Sequence, residues 1–468
     1  MTEWEAVVGL EIHVHLKTRT KMFCRCETGF GAPENTHTCP VCLAHPGALP
    51  VANRTAVEWT IKLGLALGSE IAERAVFARK NYFYPDNPKG YQISQYDLPL
   101  CVGGRLVVPG EPEFEIGFVR AHLEEDAAKT VHVGGGTGRK VGAERSLIDF
   151  NRAGTPLVEI VTQPDIRSAE QAERFLQLLR QTIVALGISD ARMEEGTLRC
   201  DANVSVRPAG SDELRTRWEL KNMNSFRYIG RGIEAAVREE VKLYESGGEV
   251  EQHTYDYEPE TDTLTPHRTK EEADDYRYFP EPDLVPLDPE REVVERLRDE
   301  LPELPAERTI RISEFVSSQS AEELVLTGNA EKAELLADGG VPWTQAASAS
   351  MNELTDIRVT RDNAKELARL VKAKGDIPRE SFLAGLEASG DKNFTADPFL
   401  AERAITDPGE LEPLVEAILA ANPGQVEQYR GGKEGLLGFF VGQVMKETGG
   451  KANPKVVNEL LREKLGAS

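Results

Sequence analysis

The sequence predicts an α+β protein in which a strand-rich amino-terminal part precedes all-helical domains. From Glu5 to about Leu287, short β-branched or aromatic runs alternate with Gly and Pro, and few helices interrupt them. After the proline-rich stretch Phe279-Pro280-Glu281-Pro282-Asp283 and Pro286, the composition shifts to Ala, Leu, Glu and Arg at helical spacing, which sets an expected boundary near Glu292. A second break is expected near Gly390 to Pro398, giving domains at 1–292, 293–394 and 395–468.

The first strand is read from Val8 to Leu16, where apolar and polar residues alternate with a period of two. Glu11, His13 and His15 then share one face. Neighbours on such a face lie about 6.5 Å apart, so one cation can take Glu11 and His13 together, although a strand with one wet face fits this segment as well. Next comes Cys24-Arg25-Cys26 with Cys39-Pro40-Val41-Cys42, which offers four thiolates across the 12 residues between Cys26 and Cys39. Four thiolates suit a closed tetrahedral Zn2+ that holds the loop 24–42 and does no chemistry. Cys101 and Cys200 have no partner by spacing.

The segment Arg79 to Gln92 combines cations with aromatics and rigid turns. Phosphates want Arg or Lys, and a purine wants an aromatic face, so Arg79, Lys80, Tyr82 and Lys89 are candidates for nucleotide binding; a surface turn is the alternative. The triplet Glu124-Glu125-Asp126 follows the apolar stretch Ile116 to Leu123. Gly134 to Gly138, with Arg139 and Lys140, lacks the Gly-Lys-Ser/Thr of a phosphate loop and reads as a hairpin loop. Glu159 interrupts the apolar run Leu157 to Val161, where a lone charge is costly unless paired or metal-bound. A helix is expected over Ser168 to Leu186 and another over roughly Gly230 to Tyr244. Between them, Asp201, Asn203 and Ser205 alternate with apolar residues and share a strand face. Several strands presenting carboxylates to one face suit Mg2+.

The chain has 468 residues, 40% hydrophobic and 28% charged, and a formal net charge of −23. That charge disfavours general nucleic-acid binding, so any RNA partner must meet a locally basic surface. No run approaches 18 apolar residues and no signal segment is evident, so a cytoplasmic protein without a membrane anchor is expected. In the tail, Leu437, Phe440, Val441, Val444 and Met445, then Val457, Leu460, Leu461 and Leu465, recur at helical spacing. Lys446, Lys451 and Lys455 lie between these helices, in a turn whose local charge opposes that of the chain.

Several of these stretches together resemble the GatB family, the B subunits of the bacterial aspartyl/glutamyl-tRNA amidotransferases. They include Gly9-Leu10-Glu11-Ile12-His13, Arg79 through Gln95, His122 through Asp126, Phe150 through Leu157, Met193 through Asn203, Glu219 through Phe226 and Asp275 through Pro280, in the family's order. The carboxyl end, Gly438 to Lys446 and Ala452-Asn453-Pro454, is similar to the family's tail. The resemblance implies a glutamine-synthetase-like cradle domain, an antiparallel sheet holding ATP and Mg2+, followed by a helical domain and a helical tail that contacts tRNA. It carries Mg2+ ligands onto Glu11, His13, Glu125 and Glu159, with Asp201 as a further ligand. Phosphorylation of the side-chain carboxylate of Glu-tRNA(Gln) or Asp-tRNA(Asn) is implied, followed by amidation. The sequence has no amidase-type Ser/Lys set, so ammonia is expected from the family's glutaminase (A) subunit, assisted by its small (C) subunit. Gln252-His253-Thr254-Tyr255 departs from the family's Gln-Glu-Thr-Arg.

Overall fold

The computed structural model describes residues 3–29, 31–134, 142–269 and 276–466. It divides into two compact units, Met1–Ile310 and Arg311–Ser468.

In chain order the first unit runs β1 (Trp4–His15), α1 (Arg54–Ala66), β2 (Glu70–Ile71), β3 (Ala78–Asn81), β4 (Tyr91–Ser94), β5 (Cys101–Val102), β6 (Arg105–Val108), β7 (Phe114–Glu125), β8 (Lys129–Val133), β9 (Arg145–Asp149), β10 (Pro156–Thr162), α2 (Ala169–Ala185), β11 (Leu198–Pro208), β12 (Trp218–Lys221), α3 (Phe226–Glu245), β13 (His253–Glu258), β14 (Thr263–Thr269), β15 (Phe279–Pro280) and α4 (Arg291–Asp299). Its main sheet has the order β14-β13-β12-β11-β1-β10-β7-β5-β2, with β6 also pairing β7. The longest strands are therefore central. Because β1 lies between β11 and β10, its alternation decides which face of the sheet is apolar. Ile12 and Val14 point into the core with Leu10, Ala202 and Ile160, all essentially inaccessible. Helices α2 and α3 pack together, and α3 lies on β11, β12 and β1. The opposite face of the central strands carries the polar residues.

The sheet is mixed rather than wholly antiparallel. β12 and β13 run parallel because α3 joins them, and parallel neighbours need such a crossover. Both expected helices form. Ser168 and Ser225 cap them, their hydroxyls accepting from the Gln171 and Tyr228 N–H groups. β8 and β9 pair antiparallel, as a hairpin requires, but the tip from Gly135 to Lys140 lies outside the described residues. A smaller sheet, β15-β3-β4, carries the Arg79 segment. The first unit continues past Glu292 because α4 packs on α1, with Arg296 3.5 Å from Glu58.

The second unit is helical: α5 (Pro305–Ser313) enters it, followed by α6 (Ser318–Leu326), α7 (Ala330–Asp338), α8 (Trp343–Asn352), α9 (Ala364–Lys372), α10 (Arg379–Ala388), α11 (Asp397–Leu400), α12 (Pro408–Ala421), α13 (Pro423–Arg430), α14 (Leu437–Glu447) and α15 (Pro454–Gly466). One apolar cluster centres on Leu367, Leu370 and Phe382; another joins Leu411 and Val415 to Phe440, Val444, Val457 and Leu461. The first cluster includes Phe394, Ala396, Phe399 and Leu400 and the second begins at Ile405, so the change of core falls after Leu400. Among the described residues no helix is long and apolar enough to cross a membrane.

Candidate active site

A row of four polar side chains crosses the polar face. Arg199 of β11 is the Cα partner of His13 on β1, His13 of Glu159 on β10, and Glu159 of His122 on β7. One row further along, Glu11 lies opposite Asp201. The strand register thus assembles residues distant in sequence without any loop.

Glu11, His13 and Glu159 offer ligand atoms that all lie within 4.8 Å of one another. His13 Nε2 is 3.8 Å from Glu11 Oε1 and 3.4 Å from Glu159 Oε2. Ligands at about 2.1 Å from an octahedral ion stand roughly 3–4 Å apart, so these separations fit a shared cation. By contrast, His15 Nε2 closes to 2.6 Å on Asp126, a direct hydrogen bond. The two carboxylates favour a hard divalent ion such as Mg2+. Burial opposes the charge on His13, but the hydrogen bond and charge of Glu159 prevail and lift its pKa to about 9. Burial and the nearby Glu159 raise that of Glu11. For Glu159, burial is outweighed by His122 and His13, which hold it below the usual carboxylate range.

His122 and Glu124 form a second group with Glu159. Here Arg120 Nε donates to His122 Nδ1 at 3.3 Å, which leaves Nε2 as the ring's donor, facing Glu124 at 3.4 Å. His122 is therefore arranged as a donor that orients the carboxylates. Glu124 also accepts from Ser94 at 2.6 Å and Gln92 at 3.1 Å. Lys80 points its ammonium at this group and over the Tyr276 ring, 4.8 Å from its centroid. Burial would lower its pKa, but Glu124 and Glu159 raise it instead.

Of these residues His13, Lys80 and Glu124 open onto a cavity of about 480 Å3 that Arg199, Asp201 and Lys221 also line. Lys221 is 2.5 Å from Asp201 and 3.3 Å from Glu219. Asp201 thus joins the same cavity, but with its own lysine partner. Glu125 departs from the expected ligand set. Neighbouring strand residues face opposite ways, so Glu125 turns from the cation group, pairs with Lys89 at 2.5 Å and accepts the Ile93 N–H. Arg79 is likewise occupied. It makes two 2.7 Å bonds to the buried Glu281, reaches Asp283 at 3.1 Å, and stacks over Tyr91. Its charge is spent on holding β15 to β3. Tyr82 lines a narrow cleft with Asp86, Gln92 and Glu125.

Cys24, Cys26, Cys39 and Cys42 converge with Sγ atoms within 4.8 Å, as a tetrahedral metal site requires. The Cys42 thiol is held down to about 4, chiefly by the Cys24 thiol hydrogen bond, with the Lys21 charge assisting against burial. The loop is clamped to the Asp149-Phe150-Asn151 turn: Asn151 Oδ1 accepts the His37 N–H at 2.7 Å and Asn35 Oδ1 the Phe150 N–H at 2.7 Å. It also walls a cavity of about 200 Å3 with Lys21, Lys89, Tyr91 and Glu125. At the point where these meet, a Cβ on Gly154, whose φ is +83°, would lie within 3.8 Å of Lys21, Cys42 and Glu125. Lys446, Lys451 and Lys455 stand exposed around the α14–α15 turn.

Sequence reasoning does not single out His122, Arg199, Lys221 or Lys21, and it meets Glu124 only within the acidic triplet. His122 and Glu124 carry a usable signal, two polar residues two apart in a strand. Lys21 carries none, because only the folded loop surrounds it.

A family model for the GatB/GatE catalytic domain matches residues 6–295, and one described as the GatB domain matches residues 343–465. Relatives named as the B subunit of aspartyl/glutamyl-tRNA(Asn/Gln) amidotransferase include one from Anaeromyxobacter sp. (strain Fw109-5), 47% identical over 100% of this chain and 99% of its own. One from Geobacter sulfurreducens is 46% identical and one from Carboxydothermus hydrogenoformans 44%, each covering 99% of both chains. With both family models and full-length similarity in agreement, the chain belongs to the GatB family, the B subunits of the tRNA-dependent amidotransferases.

Proposed function

We propose that this protein carries the ATP-dependent half of the amidotransferase reaction, on the polar face that holds Glu11, His13, Glu159 and Lys80. The observation that carries the reading is the spacing of Glu11, His13 and Glu159, which fits a shared cation, with His13 lining the same cavity as Lys80. A divalent ion held there would neutralise charge on the transferring phosphoryl group.

The substrate is Glu-tRNA(Gln) or Asp-tRNA(Asn), in keeping with the aspartyl/glutamyl-tRNA(Asn/Gln) of the relatives' names, and the reacting group is its side-chain carboxylate. A carboxylate oxygen attacks the γ-phosphorus of ATP, the bond to the bridging oxygen breaks, and ADP leaves with that electron pair. The ammonia lone pair then attacks the acyl carbon, inorganic phosphate departs with its oxygen, and the nitrogen loses a proton to give the amide. Lys80, positioned by Glu124 and Glu159, holds phosphate oxygens. His122 keeps Glu124 and Glu159 oriented. Lys89 and Glu125 act from the adjoining cavity instead of ligating the cation. Ammonia comes from the glutaminase (A) subunit, with the small (C) subunit completing the heterotrimer, and a structural Zn2+ fits the four cysteines. The exposed lysines of the tail meet tRNA phosphates, and the cytoplasm is the expected compartment.

Reconstitution with the two partner subunits tests this reading. Glu11→Gln should lower ATP-dependent amidation at least a hundredfold while glutamine hydrolysis by the partner continues. Amidation at the wild-type rate would refute the assignment.

A further inference from the structure

We infer that Arg199 forms a phosphate-binding subsite beside the cation group, a role resting on the ATP-dependent reading above. Its warrant is a local charge count. Each other permanent cation of the large cavity is matched by carboxylates: Lys221 sits between Asp201 and Glu219, and Lys80 faces Glu124 and Glu159. At the Asp126 corner the balance reverses. The buried Asp126 carboxylate receives Arg199 at 3.0 Å and Arg152 at 3.4 Å, while His15 also bonds to it at 2.6 Å. Two guanidiniums against one carboxylate leave a surplus positive charge, and guanidiniums do not deprotonate in proteins. The chain as a whole carries −23.

The two arginines differ in how much donor capacity remains. Arg152 shares its Nε between Asp126 at 3.4 Å and the Ala127 carbonyl at 3.0 Å and places Nη2 on the Ala128 carbonyl at 2.8 Å, which makes it a structural clamp. Arg199 has one terminal nitrogen on Asp126, its Nε is buried without a hydrogen-bond partner, and its side chain is 42% exposed and lines the cavity. Asp126 fixes the guanidinium plane and leaves donors free, the arrangement that suits an oxyanion with several acceptor oxygens. Since Arg199 is the Cα partner of His13, the subsite lies one strand from the cation group. Side chains on one face of neighbouring strands stand about 5 Å apart, close enough for one phosphate to touch a cation on one side and a guanidinium on the other. The terminal phosphate of ATP and a phosphodiester at the 3′ end of tRNA share this chemistry.

The test uses the reconstituted complex with wild-type, Arg199→Gln and Arg199→Lys forms of this chain. Affinity for ATP in the presence of Mg2+, affinity for adenosine, and the KM for misacylated tRNA are measured. Arg199→Gln should weaken ATP binding at least tenfold with adenosine unaffected, and Arg199→Lys, which keeps the charge, should recover most of the loss. A tenfold rise in tRNA KM with unchanged ATP affinity would place the same subsite on the RNA phosphate. Unchanged values in both arms for a folded Arg199→Gln protein would overturn the inference. Should Arg199→Gln fail to fold, Arg199→Lys binding both ligands at least as well as wild type after addition of 0.5 M salt, which screens a point-charge contact, would do the same. Failure of the wild-type complex to bind ATP would instead defeat the underlying functional reading.

Discussion

Lys21 is fully buried, and among the described residues its ammonium has no carboxylate partner. It donates to the His37 carbonyl at 2.8 Å and the Phe150 carbonyl at 3.1 Å, which satisfies its hydrogens but not its charge. A buried charge needs a counter-charge, and the cysteine cluster beside it can supply one. Four thiolates around one Zn2+ carry a net charge of −2, so loading the site would stabilise Lys21 and Lys21 would stabilise the loaded site. Lys21→Met should therefore speed zinc loss to a chelator at least tenfold, measured by a colorimetric metal indicator. Equal release rates would show that the lysine serves the loop independently of metal. The four cysteines themselves are legible from spacing, whereas the role of Lys21 depends on contacts made across 16 and 129 residues of sequence.

At the scale of elements, the period of two in β1 is enough to place Glu11, His13 and His15 on one face, because a central strand must turn its apolar side to the core. Which partner lies beside each cannot be read in the same way. Register depends on pairing between strands, so the opposition of His13 to Glu159 and Arg199 emerges only with the sheet. The same limit explains Glu125: the acidic triplet is evident, but the face assigned to each member is not. Helix α3 adds a feature that its amphipathic pattern conceals. Glu240 is fully buried against β11 and β12, its carboxyl near the Val206 and Trp218 N–H groups yet without a hydrogen bond of ordinary geometry. Burial pushes its pKa up to about 8 from an ordinary value of 4.5. The folded protein thus favours the neutral acid, and the unfolded chain ionises first as pH rises. The stabilising preference is full below about pH 4.5 and is lost progressively up to about pH 8. The loss is at most on the order of 5 kcal/mol. Glu240→Gln should remove this decline, so its Tm should exceed that of wild type by several degrees at pH 8 and converge with it near pH 5. Parallel curves for the two proteins would mean that Glu240 remains in one protonation state.

For the whole molecule, the proposed substrate is polyanionic while the chain is acidic, and positive charge is kept local. The polar face of the sheet gathers Lys80, Arg199 and Lys221 around one cavity, and the α14–α15 turn exposes Lys446, Lys451 and Lys455. The α+β division and the tail core are legible in the sequence because each depends on short-range periodicity. The parallel β12–β13 pair and the continuation of the first unit through α4 are not, since both arise from packing between elements. The central claim is that the tRNA-bound carboxylate attacks ATP on the face containing Glu11, His13 and Glu159. Supplying the complex with misacylated tRNA whose side-chain carboxylate is labelled with 18O follows the oxygen itself. The account predicts one 18O atom in each inorganic phosphate released with amide formation; amide formed with phosphate free of the label would contradict it.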